Sequence, residues 1–159
     1  MAYSDPLAFF LTWSTYGTWL PGDERGWVDT GKGYQLPSPE LVDRASLILN
    51  ENACYLDSAE RQIVEKQVAE TCSHRGWRLH AVNCRSNHVH VVVTARDLTS
   101  KKVLDDLKAW CTRGLKERSD ASRLNWWTEG GSKQQIFTEI GLYEVIVYVL
   151  VEQDRKGRS

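Results

Sequence analysis

No stretch of the sequence stays apolar for the ~20 residues that a membrane-spanning helix requires, so the chain is not expected to cross a bilayer. Its first residues, Met1-Ala2-Tyr3-Ser4-Asp5-Pro6, lack the basic segment and apolar run of a secretory leader, and a cytoplasmic location is expected. Cysteine is scarce. Cys54, Cys72, Cys84 and Cys111 contain no Cys-x-x-Cys pair, which gives a structural zinc cage little support and predicts reduced, buried thiols. Neither sign of charge dominates: the formal net is −1, without the basic excess common in nucleic-acid-binding domains. Glycine and proline are too few, and apolar residues at 42% too many, for a collagen-like, low-complexity or disordered polypeptide. What remains is one compact domain over residues 1–159, long enough to bury most of its apolar surface.

The near-zero net charge hides an asymmetry. Residues 1–72 hold 5 Lys/Arg against 11 Asp/Glu, whereas residues 73–159 hold 15 against 10. A polyanion should meet the second half.

Aromatic and β-branched residues 8–13 predict a strand. Between Gly17 and Pro39 lie five glycines, three prolines and the aromatics Trp19, Trp27 and Tyr34, which predicts an ordered loop. Asp57-Ser58-Ala59-Glu60 reads as a capping box opening a helix with Val64, Val68 and Cys72 on one face, closed by Gly76. Residues 78–84 and 88–94 predict a hairpin through Arg85-Ser86-Asn87, with Val89, Val91 and Val93 on one face and His88, His90 and Val92 on the other. Thr99 or Ser100 caps a second helix striped by Leu104, Leu107, Cys111 and Leu115. Residues 134–138 predict a short strand, and Thr138 caps a last helix over about 139–153. This order is α+β: a ferredoxin-like split βαβ with a four- to five-stranded antiparallel sheet and an added C-terminal helix.

The run Asn87-His88-Val89-His90-Val91-Val92-Val93 carries the most chemistry. Strand alternation sets His88 and His90 side by side, which suits a divalent cation, although two strand histidines can equally well only hydrogen-bond to neighbours. Two imidazoles leave coordination positions open for a further ligand and a substrate oxygen. On the last helix Tyr148 and Glu152 are four apart and share a face, with Gln153 adjacent. The plain alternatives are a core aromatic for Tyr148 and a solvated charge for Glu152.

With its histidine pair, Tyr148 in Tyr-Val-Leu-Val-Glu-Gln and the opening Leu-Thr-Trp-Ser-Thr-Tyr-Gly-Thr-Trp-Leu-Pro-Gly-Asp-Glu-Arg-Gly of residues 11–26, the chain resembles the HUH single-tyrosine transposases of insertion sequences, including the relatives associated with repetitive extragenic palindromes (REP). The resemblance implies a ferredoxin-like enzyme that nicks and rejoins single-stranded DNA with Mg²⁺ or Mn²⁺ through a covalent 5′-phosphotyrosine. His88 and His90 match its metal ligands, and Tyr148 its nucleophile. Relatives often carry Gln or Asn four residues after the tyrosine as third ligand. That position here is Glu152, and Gln153 follows; α-helical geometry favours Glu152, roughly 40° from Tyr148, over Gln153 at roughly 140°. Tyr143 is the rival phenol, set at a large angle from Tyr148, and Tyr16 in the opening motif either shapes the site or packs. Some relatives are homodimers whose tyrosine helix acts in trans, and others are monomers.

The expected partner is single-stranded or hairpin DNA. Lys101, Lys102, Lys108, Arg113, Lys116 and Arg118 are candidate phosphate contacts, unless they form a solvated helix face, and Trp126, Trp127, Trp19 or Trp27 could stack on bases. No Gly-x-x-x-x-Gly-Lys-Ser/Thr loop is present, and rejoining by phosphodiester exchange needs none. Two other functions are compatible with these residues: a noncatalytic nucleic-acid-binding module, or a metal-dependent phosphodiesterase that uses water.

Overall fold

A computed structural model describes residues 5–29 and 31–152. Strand β1 (Ala8–Ser14) is followed by a small hairpin of β2 (Trp27–Asp29) and β3 (Gly33–Gln35), then helix α1 (Pro39–Leu47). Helix α2 (Ser58–Arg75), strands β4 (Arg78–Cys84) and β5 (His88–Thr94), helix α3 (Ser100–Arg118), strand β6 (Ser132–Ile136) and helix α4 (Glu139–Val147) complete the order, and a π-turn (Tyr148–Glu152) extends α4. The main sheet has four strands in the order β4-β5-β1-β6. Every neighbouring pair is antiparallel, so β1 and β4 run the same way with β5 between them. This is the split βαβ arrangement expected, with four strands in its sheet.

Local chemistry accounts for most boundaries. Asp57 accepts from the Glu60 N–H while the Glu60 carboxylate accepts from Asp57 N–H, and Gly76 ends α2 at φ 73, a conformation glycine adopts without the Cβ cost. Thr99 caps α3 and Thr138 caps α4. Helix α1 has no counterpart among the expected elements, although Ser38 caps it with Pro39 in its first turn, a recognised start signal. Its nine residues present only Ala45 to the interior, too weak a stripe for periodicity to register. Strand β6 begins two residues earlier than predicted and ends at Ile136.

The sheet separates two apolar layers. Phe9, Leu11 and Trp13 of β1 and Val89, Val91 and Val93 of β5 pack with Val64, Val68, Leu104, Leu107 and Leu115 of α2 and α3, each fully buried aliphatic contributing about 1.5–3 kcal/mol. On the opposite face Ala8, Ala81, Val92 and Ile136 meet Leu142, Val145, Ile146, Tyr148 and Val149. Alternation along β5 therefore sends its odd-numbered valines to the paired helices and His88, His90 and Val92 toward α4. All four cysteines are buried and free; burial holds the Cys72 thiol up at about 11 and pushes Cys84 and Cys111 higher still, which keeps them unreactive. Among the described residues no helix is long and apolar enough to cross a membrane.

Candidate active site

The imidazoles of His88 and His90 meet edge to face, with ring centroids 4.7 Å apart. The register Thr12↔His90 and Ser14↔His88 places them over the centre of the sheet. Asn87 Oδ1 lies 2.8 Å from His88 Nδ1. A carbonyl oxygen only accepts, so Nδ1 donates and a neutral His88 carries its lone pair on Nε2. Thr12 Oγ1 stands 2.8 Å from His90 Nδ1 and can accept in the same way. Such partners fix ring orientation and tautomer in metal-binding histidines. The hydrogen-bonded reading of the pair and the ligand reading are thus compatible, since both bonds use Nδ1.

Tyr148 reaches the pair from the other side. Its ring centroid is 5.9 Å from that of His90 and 6.3 Å from that of Phe10, and Phe10 is 5.5 Å from His90. All three stand on the α4 face of one chain. Tyr148 sits where α4 passes into the π-turn, a local widening frequent at functional sites. Asn83 ties that turn down: it is buried, pairs in register with His90, and donates from Nδ2 to the Val149 carbonyl at 2.8 Å. Tyr143, by contrast, is 69% exposed on the outside of α4.

The donor set suits a divalent cation: two adjacent imidazoles whose Nδ1 atoms are each engaged by a side-chain oxygen that orients the ring. Among the described residues no third His, Cys, Asp or Glu joins them. Glu152 lies on the backbone of the π-turn, whose i→i+5 repeat removes the α-helical angle that favoured it over Gln153. Gln153 lies outside the described residues.

The expected DNA contacts fall elsewhere. Helix α3 packs on the face of the sheet opposite the imidazoles, so Lys101, Lys102, Arg113, Lys116 and Arg118 are not brought to the site. Lys101 pairs with Asp105 at 2.6 Å, and Arg113 lies over the Trp110 ring. Lys108 is half-buried and donates to the carbonyls of Thr128 and Gly130 at 2.9 and 2.8 Å; burial lowers its pKa, and its role is to hold the segment before β6. Trp126 is 2% exposed in the core and offers no ring face to a base. Trp127 packs edge-on against Trp13 and donates to Thr112 Oγ1 at 2.9 Å. Both tryptophans therefore pack the interior, because the strand-like bridge from Thr15 to Trp127 draws this segment inward. Trp19 is already covered by the Arg25 guanidinium, 3.8 Å from its ring, and Trp27 donates to the Leu36 carbonyl. Tyr16 packs against the helix-side core, its hydroxyl accepting from Asn50 N–H at 3.0 Å.

Asn87, Thr12, Asn83 and Phe10 are the site residues that sequence reasoning passed over. Asn87 had a usable signal in its position before His88; the others depend on strand pairing and on where α4 lands.

Comparison with known proteins bears on the family and the fold. The family described as "Transposase IS200 like" matches residues 47–135. The fold resembles that of a REP-associated tyrosine transposase solved bound to a REP hairpin, with a TM-score of 0.59 at 11% identity over 99% of this chain and 72% of that one. A candidate transposase from Deinococcus radiodurans R1 aligns at a TM-score of 0.49 and 13% identity over 99% of this chain and 94% of that one. No curated protein matches the chain.

Proposed function

The chain belongs to the IS200-like transposase family, and from that premise we propose that it nicks and rejoins single-stranded DNA through a covalent 5′-phosphotyrosine formed on Tyr148. One observation carries this reading: the Tyr148 phenol and both imidazoles converge on one face of the sheet, His88 and His90 4.7 Å apart and Tyr148 5.9 Å from His90. His88 and His90 would hold a divalent cation, Mg²⁺ or Mn²⁺, and either Glu152 or Gln153 completes the set. Such an ion supplies polarisation of the scissile phosphate and stabilisation of developing charge.

The chain's own residues perform the rest. Tyr148 Oη attacks phosphorus in line; the bond to the 3′ oxygen breaks, and the proton lost by the phenol is matched by the one gained at the new 3′-hydroxyl. Attack by a second 3′-hydroxyl reverses the exchange and restores the phenol. One phosphodiester replaces another, so no nucleotide triphosphate is needed. Asn87 and Thr12 orient the imidazoles, and Asn83 holds the turn that presents the nucleophile. The convergence of these groups within one chain supports a tyrosine acting in cis.

Hairpin DNA is the proposed substrate. The relative solved with a REP hairpin bound is the precedent. On this reading the scissile strand lies on the α4 face, away from Lys101, Lys102, Arg113, Lys116 and Arg118 on the opposite side of the sheet.

The test is incubation of end-labelled hairpin DNA with Mn²⁺ and a denaturing gel. Wild type should give a protein–DNA adduct, and Tyr148→Phe none while retaining its mobility-shift affinity. Cleavage by Tyr148→Phe would favour a water-using phosphodiesterase, and binding without cleavage by wild type a noncatalytic module.

A further inference from the structure

A cleft of about 440 Å³ opens beside the nucleophile, and Phe10, Gln134, Tyr143, Glu144, Val147 and Tyr148 are among the residues that line it. The sequence reading assigned nothing to Phe10, Gln134 or Glu144. Register explains their meeting: Phe10↔Gln134 pair across β1 and β6, so both project to the face that α4 covers, and Tyr143 and Glu144 come from α4 above. Because Tyr148 is itself a wall, anything seated there lies within about one nucleotide of the phosphorus that its hydroxyl would attack.

The described lining suits a base better than a phosphate. Among the described residues no Lys or Arg borders the cleft, and Glu144 adds a carboxylate. At the opposite edge of the sheet, Arg61 and Arg85 border a separate recess between α2 and β4, together with Glu65 and Asn83. What the cleft offers is aromatic surface from half-buried Phe10 and exposed Tyr143, and polar groups with direction: the Gln134 amide, with donor and acceptor side by side, and the Glu144 carboxylate, which only accepts. Ring surface and a paired donor and acceptor are what an unstacked nucleobase needs.

Building on the nicking reading, we infer that this cleft is a nucleobase subsite reading one base beside the scissile phosphate, with Glu144 and Gln134 as its specificity-determining residues. An acceptor-only carboxylate beside an amide selects a base with an exocyclic amine. Adenine meets both, presenting an N–H donor next to a ring-nitrogen acceptor. Thymine has no amine to give Glu144 and is disfavoured. The subsite sits on the β6 side of Tyr148.

The test uses the full-length chain, Mn²⁺ and a set of hairpin oligonucleotides varied at each position flanking the nick, with covalent adduct as the readout. Wild type should prefer an amine-bearing base over thymine at one flanking position, by roughly tenfold for one good paired contact. Glu144→Ala, an exposed helix change, should bring thymine level with the amine-bearing bases at that position alone, and Gln134→Ala, an exposed edge-strand change without a packing role, should alter the ranking of the amine-bearing bases there, both leaving preferences elsewhere intact. Tyr143→Ala should lower adduct yield for all four bases there together. Wild type without preference at any flanking position, thymine as the favoured base, or an unchanged profile in either Glu144→Ala or Gln134→Ala overturns the subsite while the nicking reading stands. Absence of adduct with every oligonucleotide overturns the nicking reading itself, and the subsite with it.

Discussion

The side-chain oxygens behind the two imidazoles decide their chemistry. Asn87 Oδ1 fixes the His88 tautomer at 2.8 Å, and Thr12 Oγ1, which can donate or accept, orients the His90 ring from the same distance. Removing such a partner typically costs 10–100-fold in metal affinity or activity. Asn87→Ala should therefore raise the Mn²⁺ concentration needed for half-maximal adduct by at least about tenfold, with its urea midpoint close to wild type because Asn87 sits in a hairpin turn outside the core. An unchanged Mn²⁺ requirement would mean that the bond is incidental. The histidine pair and the phenol were legible as residue types at their spacings, because strand alternation and helical periodicity are local. Thr12 was not, since only the pairing of β1 with β5, 78 positions apart at Thr12 and His90, brings it there. Nor did residue type identify the tryptophans: Trp126 looks like a stacking platform beside basic residues, yet burial at 2% exposure makes it core.

At the scale of elements, the π-turn is the feature with most consequence. Asn83 on β4 donates to the Val149 carbonyl, and Val149 is fully buried. Asn83→Ala leaves that carbonyl without its donor, at a cost of about 1–3 kcal/mol. Adduct formation should fall by more than the stability loss accounts for, measured at a temperature where the variant is fully folded, because the turn that carries Tyr148 loses its tie to the sheet. A rate equal to wild type under those conditions would assign the bond to packing alone.

Strand β4 makes a second prediction. His80 sits at the register shift between Leu79 and Ala81, with Nε2 2.7 Å from Thr94 Oγ1. Burial, assisted by the Arg78 charge, lowers its pKa below the ordinary 6.5. A base with a depressed folded pKa binds its proton more readily when unfolded, so its neutral form favours the fold fully above about pH 6.5, and stability is lost as the pH falls below that value. Thermal melts of His80→Gln and wild type should diverge between pH 7 and 5, with wild type losing more. Parallel curves would remove His80 from the acid response. Helix caps and the β4–β5 hairpin followed from sequence because each is closed by neighbours in the chain. The π-turn did not, because an apolar run such as Val145 to Val151 satisfies α, π or strand geometry until Asn83 selects one.

For the whole molecule, the question is whether one chain suffices. His88, His90 and Tyr148 converge without a second copy, so Tyr148→Phe mixed with His88→Ala should form no adduct beyond the sum of the two separately. Restored activity in the mixture would show exchange of the tyrosine turn between chains. The two faces of the sheet also divide labour: α2 and α3 supply a tightly packed core, while α4, with no fully buried residue of its own, covers the other face lightly and leaves a cleft at the β6 edge.

The sequence by itself determined the order of the split βαβ elements, the strand that carries the imidazoles and the phenol on the last helix, since these depend on periodicities of two and about 3.6 residues and on caps that act within a few positions. Only the tertiary structure decided which basic residues lie near the chemistry, that Trp126 is core, that the turn after α4 is widened, and that Phe10 and Gln134 share a cleft with Tyr148. Those are facts about strand register and about which face of a sheet a helix covers, set by contacts between residues far apart in the chain, and local pattern carries no record of them.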